Sequence, residues 1–90
     1  MIVRTYSAGV HFGTLEAKEG KEVVLSNSRR LWYWDGSASL SQLAIDGVSK
    51  PNNCKFPESV EKIFLTEAIE IIPVTDKAAL SIDAVSIWKQ

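Results

Sequence analysis

The chain has 90 residues, of which 46% are hydrophobic and 23% charged, with a formal net charge of -1 at pH 7. This length predicts one domain over residues 1–90, and this composition predicts a folded chain rather than a disordered one. A nearly neutral chain lacks the positive field on which duplex-DNA binders depend, so we expect no duplex nucleic acid partner.

The first part of the sequence predicts strands. Residues 2–6 are rich in β-branched side chains, and apolar side chains alternate with others over residues 10–15. The polar residues 16–21 contain Gly20, which suits the positive φ of a turn. This turn leads into a further strand over residues 22–26, so a hairpin is expected.

An aromatic segment follows a second turn signal. Asn27 and Ser28 predict this turn, and residues 29–34 are rich in the aromatic side chains that strands favour. Together with the hairpin, this segment predicts a three-stranded antiparallel meander.

Two short helices are predicted. Ser39, followed three residues later by Gln42, has the spacing of a capping box, and Gly47 suits the left-handed end of that helix. Near the C-terminus, Thr75 is the predicted N-cap of a helix that begins at Asp76. Two sets of side chains are expected to face inward: Leu40, Leu43 and Ala44 in the first helix, and Leu80, Ala84 and Ile87 in the second.

The region between the helices combines a loop with strands. Residues 49–57 contain two prolines and two asparagines and predict an exposed loop. Residues 63–65 and 68–72 suit one bent strand or two short strands ended by Pro73, with a helix over residues 58–69 as the alternative. The predicted fold class is therefore α+β, an antiparallel sheet of about four to five strands with two short helices packed on it.

The sequence offers little for catalysis or metal binding. The single His11 and the single Cys54 lie far apart, no Gly-x-Ser-x-Gly elbow is present, and the glycines do not cluster into a phosphate-binding loop. We therefore predict no catalytic residue, no metal site and no cofactor. One cysteine fits a reducing, cytoplasmic setting, and no segment approaches the about 20 apolar residues that cross a bilayer, so no membrane partner is expected.

The aromatic segment supplies candidate ligand-binding residues. On a strand, Arg30, Trp32 and Trp34 share one face, while Arg29 and Tyr33 share the other. A guanidinium can hold a phosphate through two hydrogen bonds, and an indole can stack on a base for about 1–3 kcal/mol. The alternative is that Trp32 and Trp34 pack the core, with Arg30 at its edge.

Two further residues complete the candidate set. His11, on an adjacent predicted strand, and Asn27 are expected to orient the ligand. The alternative for His11 is a surface or hydrogen-bonded neighbour of Phe12. The predicted ligand-binding residues are Arg30, Trp32, Trp34, His11, Arg29, Tyr33 and Asn27.

Three segments carry a family resemblance: residues 3–15, residues 29–34 and residues 66–72. They are similar to a small uncharacterised family that is common in tailed-phage and prophage genomes, and the likeness spans most of the chain. The resemblance brings no catalytic motif with it. It implies a setting in which compact proteins of this size counter host defence, some by sequestering nucleotide messengers in oligomeric cages.

Two hypotheses follow. The first is a non-enzymatic phage-type protein in the host cytoplasm that forms a homo-oligomer and sequesters a nucleotide-like anionic messenger at a subunit interface, because so small a core has little volume to spare for a ligand. The second is a protein–protein interaction module or minor structural accessory protein with no small-molecule ligand. Arginine and aromatic side chains are enriched at interface hot spots, so the same residues serve both hypotheses.

Overall fold

The alternating and β-branched segments of the sequence form an antiparallel sheet in the computed structural model, which describes residues Met1–Lys89. The strands are β1 Ile2–Thr5, β2 Val10–Glu19, β3 Glu22–Arg30, β4 Val60–Leu65 and β5 Ala68–Ile72. The helices are α1 Leu40–Asp46 and α2 Asp76–Asp83, and a short 3-10 turn covers Pro51–Asn53. The strand order β4-β3-β2-β1-β5, antiparallel throughout, confirms the predicted α+β class.

The sheet curls until its two edge strands meet at one end. β4 and β5 lie at opposite edges, yet only Thr66 and Glu67 connect them. Four strand spacings in a flat sheet cover about 19 Å, whereas three Cα steps reach at most about 11 Å. The sheet is therefore a half-open barrel, and all five strands contribute to the apolar cluster inside it. Its buried members are Val3, Val23, Leu25 and Leu65, with Leu15, Ile63, Ala68 and Ile71 packed against them.

The outer face of the sheet carries both helices. A second apolar cluster joins Ile2 on β1, Leu43 on α1 and Ile82 on α2, and Phe56 from the connecting segment is fully buried in it. The sheet is thus covered on both faces, by its own curvature on the inside and by the helices on the outside.

A bulge replaces one predicted turn. Asn27 has a φ of 48°, and the pairing of β2 with β3 shifts register nearby. A bulge takes up one extra residue without ending a strand, so β3 continues to Arg30. The predicted turn at this point is wrong, as is the predicted strand over residues 29–34 beyond Arg30. The chain then leaves the sheet, and Tyr33 forms an isolated bridge to Lys55.

The predicted helix ends are confirmed. The Oγ of Ser39 accepts from the amide of Gln42 at 3.1 Å, and the Oγ1 of Thr75 accepts from the amide of Ala78 at 3.1 Å. Gly47 ends α1 at the predicted place and has the positive φ of 75° that favours glycine, but its ψ of -150° lies outside the left-handed helical conformation that was predicted.

The predicted inward face is correct for α1 and wrong for α2. Leu43 and Ala44 are buried, but Leu80 is 72% exposed, and Ala84 and Ile87 also face solvent. The packed stripe begins two residues earlier than predicted, which is roughly half a helical turn away. Its buried residues are Ala78, Ile82 and Val85.

The segment between α1 and β5 also departs from expectation. The predicted loop over residues 49–57 is partly internal, because Cys54 and Phe56 are buried. Beyond it, β4 and β5 are two separate strands. The helix considered for residues 58–69 is therefore wrong, and the interpretation as two short strands is confirmed.

Candidate functional site

A surface groove collects three of the predicted ligand-binding residues. Arg30, Trp32 and Trp34 line a concave region of about 580 Å³. Arg30 is the last residue of β3, and Trp32 and Trp34 lie on the segment that follows the strand. The groove has further walls that the sequence analysis missed: Ser7, Ala8, Gly9, Val10 and Leu31.

The three predicted residues differ in burial. Trp32 is 65% exposed. Arg30 is exposed too, and within residues 1–89 its guanidinium has no salt-bridge or hydrogen-bond partner. Trp34 is half-buried and packs against the outer core cluster. The core alternative therefore describes Trp34, whereas Trp32 presents its indole to solvent.

The loop between β1 and β2 forms one wall of the groove. The Oγ1 of Thr5 donates to the carbonyl oxygen of Gly9 at 2.7 Å and accepts from the amide of Ala8 at 2.9 Å. Ser7 donates to the carboxylate of Glu67. Gly9 has a φ of 84°, which permits this tight return of the chain. These bonds connect the wall to the end of β1 and to Glu67, and only Gly9 gave a signal for it in the sequence.

Arg29 lies on the opposite face of β3 from Arg30 and is buried. Its Nε donates to the carbonyl oxygen of Pro57 and its Nη1 to that of Ile82, both at 2.9 Å. Burial lowers the pKa of Arg29. The guanidinium of Arg29 is bonded to backbone carbonyls in the interior, and Arg29 is not among the residues that line the groove. Nη2 completes the set by donating to the carbonyl oxygens of Phe56 at 3.0 Å, Val85 at 2.6 Å and Ser86 at 3.2 Å.

His11 is buried beside the groove and does not line it. Its Nε2 lies 2.9 Å from the carbonyl oxygen of Ala8. Since a carbonyl oxygen only accepts, we assign the proton to Nε2, which leaves Nδ1 as an acceptor in the neutral ring. Burial lowers the pKa of His11 and so favours this neutral form; the hydrogen bond to Ala8 opposes the shift, and Arg30 adds to it. His11 therefore supports the wall of the groove from the inside of the barrel.

The last two predicted residues lie elsewhere. Tyr33 is 50% exposed, and the Nζ of Lys55 lies 6.0 Å from its ring centroid and 5.7 Å from that of Trp88. Asn27 lines a different concavity, which it shares with Asp83. Neither residue is a wall of the groove.

The described part of the chain shows no grouping of three or more His, Cys, Asp or Glu side chains that could hold a metal ion. Cys54 is buried, and its Sγ accepts from the amide of Asp35 at 3.5 Å. Among residues 1–89, none of the helices has the length and apolar character needed to cross a membrane. Within the groove, Arg30 supplies a cation, Trp32 and Trp34 supply indoles, and the loop between β1 and β2 supplies polar backbone groups.

Comparison with protein families places most of the chain in one of them. Residues 1–82 match a family model described as "Domain of unknown function (DUF6948)". No curated protein and no solved structure matches the chain.

Proposed function

We propose that this chain, which belongs to the family described as a domain of unknown function (DUF6948), is a binding protein that holds a nucleotide-like anionic ligand in the groove of Arg30 and Trp32. The resemblance to phage proteins extends the proposal to its setting: a host-defence antagonist that works in the cytoplasm of the infected cell. Sequestration needs no turnover, so the proposal is for a non-enzymatic role.

The observation that carries the proposal is the pairing of an unpartnered guanidinium with an exposed indole across one groove. Within the described residues the guanidinium of Arg30 has no partner, so its planar set of N–H donors can bind a phosphate. Trp32 exposes 65% of its surface, and burying an aromatic ring of this kind against a base contributes about 1–3 kcal/mol. A ligand with a flat ring and a phosphate satisfies both groups at once.

The shape of the groove supports an oligomer. Its volume of about 580 Å³ lies in the range of small-molecule sites, but its walls are on the surface of one chain. Ligand pockets normally enclose most of the ligand. A second copy of the chain placed over Trp32 would close the groove, so we propose that the ligand lies at an interface between subunits.

A protein-interaction role is the second candidate, favoured by a different surface. Tyr33, Lys55 and Trp88 form an aromatic and cationic patch beside the groove. Tryptophan and tyrosine are enriched among the residues that contribute most of the binding energy at protein interfaces. In this alternative, Trp32 and Tyr33 would contact a partner protein and no small molecule would be bound.

A thermal-shift screen against nucleoside phosphates and cyclic dinucleotides, run with a measurement of mass in solution, tests the proposal. At a ligand concentration of 100 times Kd, binding adds about 2.7 kcal/mol to stability, which is readily detected. We expect Arg30→Gln to abolish the shift, while Lys62→Gln, an exposed charge on β4, leaves it unchanged. If none of these nucleotides raises the melting temperature of the wild-type chain, the ligand proposal fails.

A second measurement separates sequestration from degradation. The nucleotide that shifts the melting temperature is incubated with the protein, released by heat denaturation and identified by mass spectrometry. Intact ligand is the expected result. Recovery of fragments alone would show that the protein is an enzyme.

A further inference from the structure

We propose that the open end of the half-open barrel is a second binding site, which takes a sugar ring. A cavity of about 280 Å³ lies at this end, away from the connection between β4 and β5. His11 pairs with Val3 on one side and Arg30 on the other, and residues paired across neighbouring strands share a face. The cavity therefore continues the interior that Val3 helps to fill. Its walls are His11, Ser28, Arg30, Pro57, Glu58, Val60 and Ile63.

Two buried polar atoms beside this cavity lack a partner. His11 is 1% exposed and Ser28 is 2% exposed. Among the described residues, neither the Nδ1 of His11 nor the Oγ of Ser28 forms a hydrogen bond. Buried polar groups in folded proteins are almost always paired, because leaving them unpaired is destabilising. An occupant of the cavity would supply the missing partners.

The protonation of His11 restricts what that occupant can be. Its Nε2 already uses the ring proton on the carbonyl oxygen of Ala8, so Nδ1 can only accept. The occupant must present a donor to it. A hydroxyl group meets both needs, since it can donate to Nδ1 of His11 while it accepts from the Oγ of Ser28.

The remaining walls favour a ring that carries several hydroxyls. Val60, Ile63 and Pro57 offer an apolar surface for the C–H face of a sugar. Arg30 and Glu58 add one donor group and one acceptor group of opposite charge, so the walls carry no net positive charge that would select a bare anion, while hydroxyl groups can bond to both. Such a ring can arrive as a free sugar or as the ribose of a nucleotide.

The single imidazole of the chain reports directly on this site. Nitrogen-detected NMR of His11 is recorded while D-ribose, ribose 5-phosphate, AMP or inorganic phosphate is added to the full chain. We expect a saturable shift of the Nδ1 resonance with the sugar compounds and none with inorganic phosphate. A response to D-ribose identifies a free sugar as sufficient, whereas a response to AMP alone identifies a nucleotide as the source.

Variants distinguish this site from the groove and from a structural effect. Ser28→Ala should weaken the sugar response about tenfold, the effect of losing one buried hydrogen bond, and Ser59→Ala, an exposed hydroxyl nearby, should not. Glu58→Gln, an exposed position, should weaken it without disturbing the core. Trp32→Ala should leave the D-ribose or ribose 5-phosphate response intact even if it abolishes nucleotide binding in the groove. No shift of Nδ1 with any sugar, or a full shift in both Ser28→Ala and Glu58→Gln, would overturn the proposal.

Discussion

The guanidinium of Arg29 lies over the ring of Phe56, with its Cζ 5.4 Å from the ring centroid, and donates to the backbone carbonyl of the same residue at 3.0 Å. Both contacts are buried. Through them, β3 is joined to the segment that follows the 3-10 turn and, by further carbonyls, to the end of α2. One side chain thus ties together three parts of the chain that are far apart in sequence.

Replacing Arg29 should therefore be severely destabilising. Arg29→Met removes donors to the carbonyls of Ile82 and Val85 and leaves those acceptors buried, so we expect the free energy of unfolding to fall by at least about 3 kcal/mol. Urea denaturation measures this change. Arg30→Met is the matched control, because Arg30 is exposed and should change stability by no more than about 0.5 kcal/mol. Similar urea midpoints for the two variants would show that the hydrogen bonds from Arg29 to the buried carbonyls contribute little to stability.

The stability of the fold should depend on pH through His11. Burial lowers the pKa of His11 in the folded chain, below its usual value of about 6.5. Protons therefore bind the unfolded chain more tightly, so stability is fully present above about pH 6.5 and falls as the pH drops toward the folded-state pKa. Urea midpoints measured at pH values from about 5 to 7.5 should show this decline, and His11→Gln should flatten it. If the urea midpoint falls equally with pH in the wild type and in His11→Gln, the decline is caused by carboxylates and not by His11.

Replacing the two tryptophans of the groove should have different effects on the stability of the fold. Trp34 packs on the outer core, so Trp34→Ala is expected to lower the free energy of unfolding by about 2 kcal/mol or more. Trp32 is largely exposed, so Trp32→Ala should change it by no more than about 0.5 kcal/mol. Thermal denaturation of the chain without added ligand makes the comparison. A large loss in Trp32→Ala would indicate that this indole is already covered in solution, for example by a second copy.

Glycine should be required at the end of α1. Gly47 has a φ of 75° and a ψ of -150°, and a Cβ there would overlap the side chain of Ser81. We expect Gly47→Ala to lower the free energy of unfolding by at least about 2 kcal/mol. Gly20→Ala is the control: Gly20 has a φ of 59° but nothing lies within 4 Å of the added Cβ, so the loss should stay near about 1 kcal/mol. If the two losses are equal, the contact with Ser81 has relaxed.

Local chemistry made several elements predictable from sequence. The caps at Ser39 and Thr75 and the turn at Gly20 depend on groups within a few residues of each other. The alternation of apolar side chains also identified sheet segments, because this pattern depends only on residues that are neighbours along the chain. The face of α2 was not predictable, because nothing within the helix indicates which of its apolar stripes meets the sheet.

Roles in the candidate site were decided by a single bulge. With Leu25 facing the interior, unbroken alternation would send Arg29 inward as well. The bulge at Asn27 reverses the order, so Ser28 faces the interior, Arg30 lies on the same face at its exposed open end, and Arg29 turns toward the helices. A sequence that suits a turn at this point equally well cannot reveal that reversal.

The amino-acid sequence by itself determined the fold class, the helix ends and the presence of an arginine and aromatic segment, because these depend on neighbours along the chain. Only the tertiary structure decided that Arg29 is enclosed by carbonyls, that Trp32 faces solvent and that His11 lies inside the barrel. The carbonyls of Ile82 and Val85 that receive Arg29 lie 53 and 56 residues away. Such partners meet only after the sheet has curled and the helices have packed against it.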